Sequence, residues 1–401
     1  MGIFKQAFTI SKEEMLPYFY YLGATGLVGA VTYERIQTVF DSPKAFYTAD
    51  AGKLEKTGLF TVEQITHFTE KKKEFNLFSE YERALKLGIK TLSVEDPEYP
   101  EKLKTIKDYA PVLYMKGSFP KEGVPYVSVI GARECSGYGS AVAARLGELL
   151  AAAGVAVISG MARGIDSISQ IAALEAGGYS LAFLGGGVDV VYPRESRRLY
   201  EILSQRGGII SEFAPGVMPM KTFFARRNRL ISGISDALCV VEAKEKSGTM
   251  ITVDCALEQG RDVYAVPGRI SDITSFGTNS LIRQGAGVVA DLNAFVEEML
   301  RTYGGPAFMP LTKGSKKKKP EGKYLENEIA VIRLLDENSF TADALSSALK
   351  MQSYEILGLC MGLCDKGILK SMGAGRFVST EEGILTRNKI VSAENEDEDL
   401  P

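Results

Sequence analysis

The chain has 401 residues, 45% apolar and 24% charged, the mix of a globular protein long enough for two or three domains. A net charge of −3 argues against a protein that coats nucleic acid by bulk attraction, yet leaves room for a local basic groove. One histidine, His67, excludes a multi-histidine metal site, and a Ser-His-Asp triad unless His67 itself takes part.

Five cysteines stand at 135, 239, 255, 360 and 364. Cys239 and Cys255 fall in apolar runs and read as small core residues. Cys360-x3-Cys364 has no His or Cys neighbours to complete a four-ligand set, so neither metal nor cofactor is expected. No run approaches the ~18 apolar residues of a membrane span. The N-terminus, MGIFKQAFTISKEE, turns polar too early for a secretory signal, so a cytoplasmic location without a membrane partner is expected.

In chain order, residues 1–75 read as short helices broken by Gly (LPYFYYLGATGLVG, VTYERIQTVF, AGKLEKTGLFTVEQITHF), which suits a helix-hairpin or SAM-like module. His67 sits in the last of these as an ordinary helix-surface residue. From 76 to 302, strand-length apolar runs at 126–130, 155–159, 180–184, 208–211, 237–241 and 262–266 alternate with helical periods. Near-continuous apolar strands between helices predict a parallel sheet covered on both faces, a doubly wound α/β domain of extended Rossmann-like type. Residues 303–322 are a linker by composition, with lysines at 316–319 that read either as solvated or as an auxiliary phosphate contact. Residues 323–380 give three helical periods and a hairpin around Gly373-Ala374-Gly375, the winged-helix plan, although the presumed recognition helix at 352–365 carries no Arg. Residues 381–401 end in AENEDEDLP and read as an acidic, disordered tail. No internal repeat is apparent.

The segments with chemistry fall at the C-terminal ends of the expected strands, where open α/β sheets bind ligands. VIGARECSGYGS turns out of the first of these strands through Gly131 and Arg133, but its glycines miss G-x-G-x-x-G, and no G-x-x-x-x-G-K-[ST] loop exists anywhere. SGMARGID brings Gly160, Met161, Arg163 and Gly164, with Asp166 placed to cap the next helix and expose N–H groups to an anion. LGGGVDVVYP offers Gly185, Gly186 and Gly187 for the same purpose, or for tight turns. MPMKTFFARRNRLI puts Lys221, Arg226, Arg227 and Arg229 around Phe223 and Phe224. Cations track phosphates and an exposed aromatic stacks a base, worth ~1–3 kcal/mol each, whereas the plainer reading is a solvated charge run with Phe packed inward. EAKEKSGTMIT opens a helix with Ser247, Gly248 and Thr249, whose N–H and hydroxyl groups suit a phosphate.

Taken in order, VIGAR, SGMARGID, LGGGVDVVYP, SEF, RRNRLISGISDALCVVEA, SGTMIT, QGRDVYAVPG and GTNSLIRQGA resemble the DprA/Smf family over roughly residues 90–300. The resemblance implies sequence-independent binding of single-stranded DNA, protection of incoming DNA in natural transformation, loading of the RecA recombinase, and no catalytic centre. It places Arg133 and Lys221 on phosphates and Phe224 under a base; Arg227, Asn228 and Arg229 match R-N-R, which contacts DNA or braces the pocket. It also implies a homodimer through 281–289, with Leu281, Ile282 and Val288. One departure stands out: relatives often read G-I-D-x-x-x-H, and here that last position is Gln170, which can replace a hydrogen bond but not a titration. The competing readings are a nucleotide-sensing domain and a phosphoribohydrolase of the lysine-decarboxylase-like type. The latter carries P-G-G-x-G-T followed by Glu, where this chain has SGTMITVD with Glu242 before the loop.

Overall fold

A computed structural model describes residues 12–120, 123–304, 324, 326–335, 339–373 and 376–398. The chain divides into two compact units, Met1–Gly314 and Ser315–Pro401.

The first unit opens with helices α1 (Lys12–Ala24), α2 (Ala30–Val39), α3 (Pro43–Thr48), α4 (Ala51–Lys56), α5 (Val62–Glu74) and α6 (Leu77–Lys86). Ser42, Asp50, Thr61 and Asn76 each accept an N–H three residues on, which sets four of the helix starts. An internal repeat, missed in the sequence, shapes two of the turns. Thr25 Oγ1 donates to Leu22 O (2.6 Å) and accepts from Leu27 N (3.3 Å); Thr57 Oγ1 does the same with Leu54 O (2.6 Å) and Leu59 N (3.2 Å). Gly26 and Gly58 follow with φ of +70° and +64°, so L-x-x-T-G-L is one hairpin used twice. These helices share their core with the sheet: Tyr20, Tyr33 and Phe68 cluster with Tyr114 and Ile209, and the Tyr114 hydroxyl donates to Tyr20 O (2.9 Å).

The sheet follows as β1 (Lys90–Ser93), α7 (Glu101–Lys104), β2 (Val112–Gly117), β3 (Tyr126–Ile130), α8 (Gly137–Ala152), β4 (Ala156–Ser159), α9 (Ile165–Glu175), β5 (Ser180–Phe183), α10 (Arg197–Arg206), β6 (Gly208–Ser211), α11 (Lys221–Ile234), β7 (Ala237–Val240), α12 (Gly248–Glu258), β8 (Asp262–Ala265), α13 (Phe276–Arg283), β9 (Gly287–Val288) and α14 (Leu292–Tyr303). Its order is β1-β2-β6-β5-β4-β3-β7-β8-β9, parallel from β6 to β9. All six expected strands form, each within one residue of its expected ends. β1 and β2 were not foreseen; they add an antiparallel edge through β2·β6, their short buried runs showing no alternation. Leu146 and Leu150 of α8 and Phe295 of α14 fill one face, while Leu230 and Ile234 of α11 and Val253 of α12 fill the other. Chain order reverses between β3 and β7, the point at which such sheets open a ligand crevice.

The second unit contains α15 (Glu326–Arg333), β10 (Ser339–Thr341), α16 (Ala342–Leu349), α17 (Ser353–Asp365), β11 (Leu369–Gly373), β12 (Arg376–Ser379) and α18 (Glu381–Glu398), with sheet order β10-β12-β11. Helices and a hairpin in this order follow the winged-helix plan. The disorder expected over 381–401 is corrected as far as Glu398, where α18 ends, and 399–401 lie outside the described residues. Thr380 accepts from Gly383 N (3.0 Å) at its start, and Ile384 and Ile390 pack on the core, contacts that acidic composition concealed. The lysines at 316–319 and the hairpin tip at 374–375 lie outside the described residues. Among the described residues no helix is long and apolar enough to cross a membrane.

Candidate nucleic-acid interface

A cleft of about 740 Å³ opens at the β3/β7 switch point. Its walls are the loop after β3, the start of α9, the loop after β5, the first turns of α11 and the N-terminus of α12. Arg133, Lys221, Lys244 and Arg227 line it against two carboxylates, Glu134 and Asp166, so the cleft is cationic although the chain is not.

Helical spacing sorts the charge run of α11. Lys221, Phe224 and Asn228, at i, i+3 and i+7, line the cleft. Phe223 and Arg226 turn away: Phe223 stacks on Phe213 (centroids 4.2 Å), and Arg226 and Arg229 both hold Glu212 (2.9 and 2.8 Å). Arg229 also reaches Asp108 (2.8 Å) and is buried, so it braces the helix and lies off the interface expected for it. Arg227 is buried on the cleft floor, donating to the carbonyls of Gly160 (2.9 Å) and Phe183. Burial pushes its guanidinium down to about 10, opposed by the charge of Asp166. Burial likewise holds the Asp166 carboxyl above its ordinary range, with Arg227 pulling the other way. Asp166 sits inside α9 and accepts from Gly160 N (3.1 Å) instead of capping the helix.

Arg133 is exposed at the rim, its guanidinium 5.6 Å from the Phe224 ring centre. Phe224 is half-buried because Gly185 makes room for it; a Cβ there would stand 2.7 Å from the ring. Gly185, Gly186 and Gly187 are buried under Phe224 and the 214–219 loop, so they serve close packing and not an anion. At α12, Thr249 Oγ1 donates to Gly131 O (3.2 Å) and Asn228 Nδ2 to Gly248 O (3.4 Å), clipping two walls together. Ser247 Oγ is buried in the same wall without a hydrogen-bond partner.

Four residues expected at the interface are placed otherwise along the β4–α9 loop. Met161 is fully buried (φ 53°) and Gly160 is buried beneath Arg227, and neither lines the cleft. Gly164 packs against the carbonyls of Ala132 and Arg133, and Arg163 is exposed in an ion pair with Glu195 outside the cleft wall. Gln170 is buried as well: its Oε1 accepts from Met161 N (3.1 Å), and Nε2 donates to Ser180 Oγ (3.0 Å) and Leu181 O (3.2 Å). It braces the loop from behind and touches no ligand surface. At the β9 edge Leu281 is buried, Ile282 half-buried and Val288 exposed.

Sequence reasoning missed Tyr192 and Lys244 in the cleft wall. Lys244 precedes Ser-Gly-Thr by two residues, a signal available in EAKEKSGT. Glu242, weighed earlier as an enzyme's carboxylate, is buried and accepts from Ser136 N (2.9 Å) and Thr274 Oγ1 (3.3 Å), which ties it to structure. Among the described residues no group of His, Cys, Asp or Glu could hold a metal ion.

A doubly wound parallel sheet with a cationic, aromatic-walled crevice at its switch point defines a Rossmann-like protein with a candidate ligand cleft. The chain belongs to the DNA recombination-mediator protein A family, whose model matches residues 90–300. It is 41% identical over 202 residues to Protein Smf of Escherichia coli, covering 50% of this chain and 54% of that one. It is 39% identical over 199 residues to DNA processing protein DprA of Streptococcus pneumoniae, covering 50% and 70%. The X-ray structure of S. pneumoniae DprA superposes with a TM-score of 0.60 at 31% identity, covering 72% of this chain and 98% of that one.

Proposed function

We propose that this chain binds single-stranded DNA without sequence preference in the β3/β7 cleft, as a DNA-processing member of its family. The observation that carries the reading is one crevice holding Arg133, Lys221 and Lys244 beside Phe224. Exposed lysine and arginine heads take backbone phosphates, and the N-terminus of α12, with the unpartnered Ser247 hydroxyl, takes another. An aromatic wall serves only bases whose faces are free, which a duplex does not offer. No catalytic step is assigned. Protection of incoming DNA and loading of RecA are proposed with it, and family membership is their support.

Fluorescence anisotropy of labelled oligo-dT and a matching duplex, at several salt concentrations, tests the reading. Expected are single-strand preference and a log–log salt slope of ~0.7 per phosphate held. Lys221→Ala/Phe224→Ala should weaken binding on the order of 30-fold or more, one stack and one phosphate contact being lost. Adding RecA to the same oligonucleotide should shorten the lag of filament assembly, and an unchanged lag would remove RecA from the reading. Absence of any binding at low salt would overturn the whole.

A homodimer is proposed through the segment between β8 and β9. Ile270, Ile273 and Phe276 between the two strands and Val288 in β9 are 90%, 62%, 43% and 50% exposed, large apolar side chains that water does not favour. Ile270→Asp/Ile273→Asp should convert a sedimenting dimer to monomer. A wild type that already sediments as monomer at micromolar concentration would refute the dimer.

A further inference from the structure

We infer that a strand leaving the cleft continues over a second cationic surface, formed by Arg163, Arg194, Arg197 and Arg198, which holds its sugar–phosphate backbone alone. This rests on the single-strand reading above and adds a contact outside the crevice. Ala162 and Tyr192, the latter 48% exposed, line the cleft, whereas none of the four arginines does. The chain carries the charge outward from there: Arg163 follows Ala162, and Arg194 stands two residues beyond Tyr192. Ser196 Oγ donates to Met161 O (3.4 Å), and Arg163 pairs with Glu195. These contacts bring the two loops together, so their cations share one surface. All four guanidinium-bearing residues are exposed.

Nothing within the chain explains why these cations stand where they do. α10 opens on Arg197 and Arg198 with no acid in its first turn, although a helix N-terminus is the positive end of its dipole and cations weaken it. Arg194 and Arg198 have no ion pair or hydrogen bond among the described residues. Arg163 and Arg197 each meet one carboxylate, Glu195 and Glu201, in pairs that lie mostly in water. Such pairs are weak, and a phosphate displaces them readily. Four cations against two acids leave the surface positive. It has no stacking face, because Tyr200, the ring in the first turn of α10, is buried with its hydroxyl donating to Val188 O (2.7 Å). Charge without an exposed ring selects the backbone and ignores the bases. The cleft therefore chooses the strand, and this surface lengthens the grip on it.

Anisotropy with the full-length protein and an oligo-dT series from about 4 to about 16 nucleotides, the range of single-strand site sizes, tests the contact. In the wild type the log–log salt slope should steepen with length, by ~0.7 for each phosphate added to the grip. Arg194→Ala/Arg198→Ala should leave the shortest strands that bind unaffected and remove ~1.4 from the slope of the longest, two contacts being lost. Arg194→Lys/Arg198→Lys should restore that slope. Abasic units in place of the outer nucleotides should keep the gain with length, because no base is touched there. The alanine pair should melt no earlier than wild type, since neither arginine holds a partner and Arg198 opposes the helix dipole. Equal weakening of short and long strands, an unchanged slope for the long ones, or a gain lost with abasic outer units overturns the inference while leaving the cleft reading intact. Failure of the wild type to bind oligo-dT at low salt overturns both.

Discussion

Glu212→Ala should lower the thermal transition of this chain by roughly 10 °C, one of the two largest single-residue effects on stability that the structure implies. The Glu212 side chain is 3% exposed and accepts two bonds from Arg229 (2.8 and 3.0 Å), while Arg226 reaches it at 2.9 Å. Removing the carboxylate leaves two guanidinium groups side by side, the buried one with only the mostly exposed Asp108 as its remaining acid. Stranding a buried charge costs about 3–5 kcal/mol, and each kcal/mol moves the midpoint of a domain this large by about 2–4 °C. Differential scanning calorimetry reads the shift. Glu201→Ala is the control: its pair with Arg197 is 4.0 Å long with both side chains mostly in water, so the transition should stay in place. A Glu212→Ala midpoint no lower than that control would show that the cluster does not hold α11 against the body of the protein.

The second large effect concerns the cleft floor. Arg227→Met removes the donor to the Gly160 and Phe183 carbonyls and the cation that opposes burial of Asp166. The expected cost is again about 3–5 kcal/mol. Adding Asp166→Asn should return part of it, with a coupling on the order of 1–3 kcal/mol, because the second change removes the stranded charge. The pH dependence has a definite sign. A carboxyl whose folded pKa is raised favours folding while protonated, and that contribution is lost as pH rises through the folded value. Burial raises Asp166 already, and losing Arg227 raises it further. Arg227→Met should therefore be less destabilising near pH 4.5 than near pH 7.5 in denaturant unfolding. An equal cost at both pH values, or no recovery in the double variant, would mean that Asp166 and Arg227 are not coupled.

Neither arginine cluster could be separated from the DNA-facing cations along the linear run Lys221 to Arg229. In sequence the four cations form one basic patch; on a helix at 100° per residue they part company. The period itself was legible, and Lys221, Phe224 and Asn228 could have been grouped by it. Which face met the crevice was not, since that depends on Glu212, which follows β6 in the chain and meets α11 only in the folded sheet. Met161 was misplaced for a related reason. A glycine-rich loop suggests exposure, but Gln170, nine residues on, turns the Met161 amide inward and buries its side chain. Tyr192 escaped notice because its neighbour Phe224 is distant in sequence and adjacent only through the β5 and β6 crossovers.

By itself the sequence determined the alternation of strands and helices, the strand ends, the loops gathered at one edge of the sheet and the family resemblance. Each of these follows from local periodicity, glycine placement or contiguous motif, and needs no knowledge of what lies across the fold. Only the tertiary structure decided which cations face the cleft and which are consumed in Glu212 and the Gly160 carbonyl. It likewise decided that Gln170 is a brace, and that the exposed ring of the site is Tyr192. Those outcomes turn on contacts between segments far apart in the chain, where burial sets the cost of a charge and a partner across the sheet removes it.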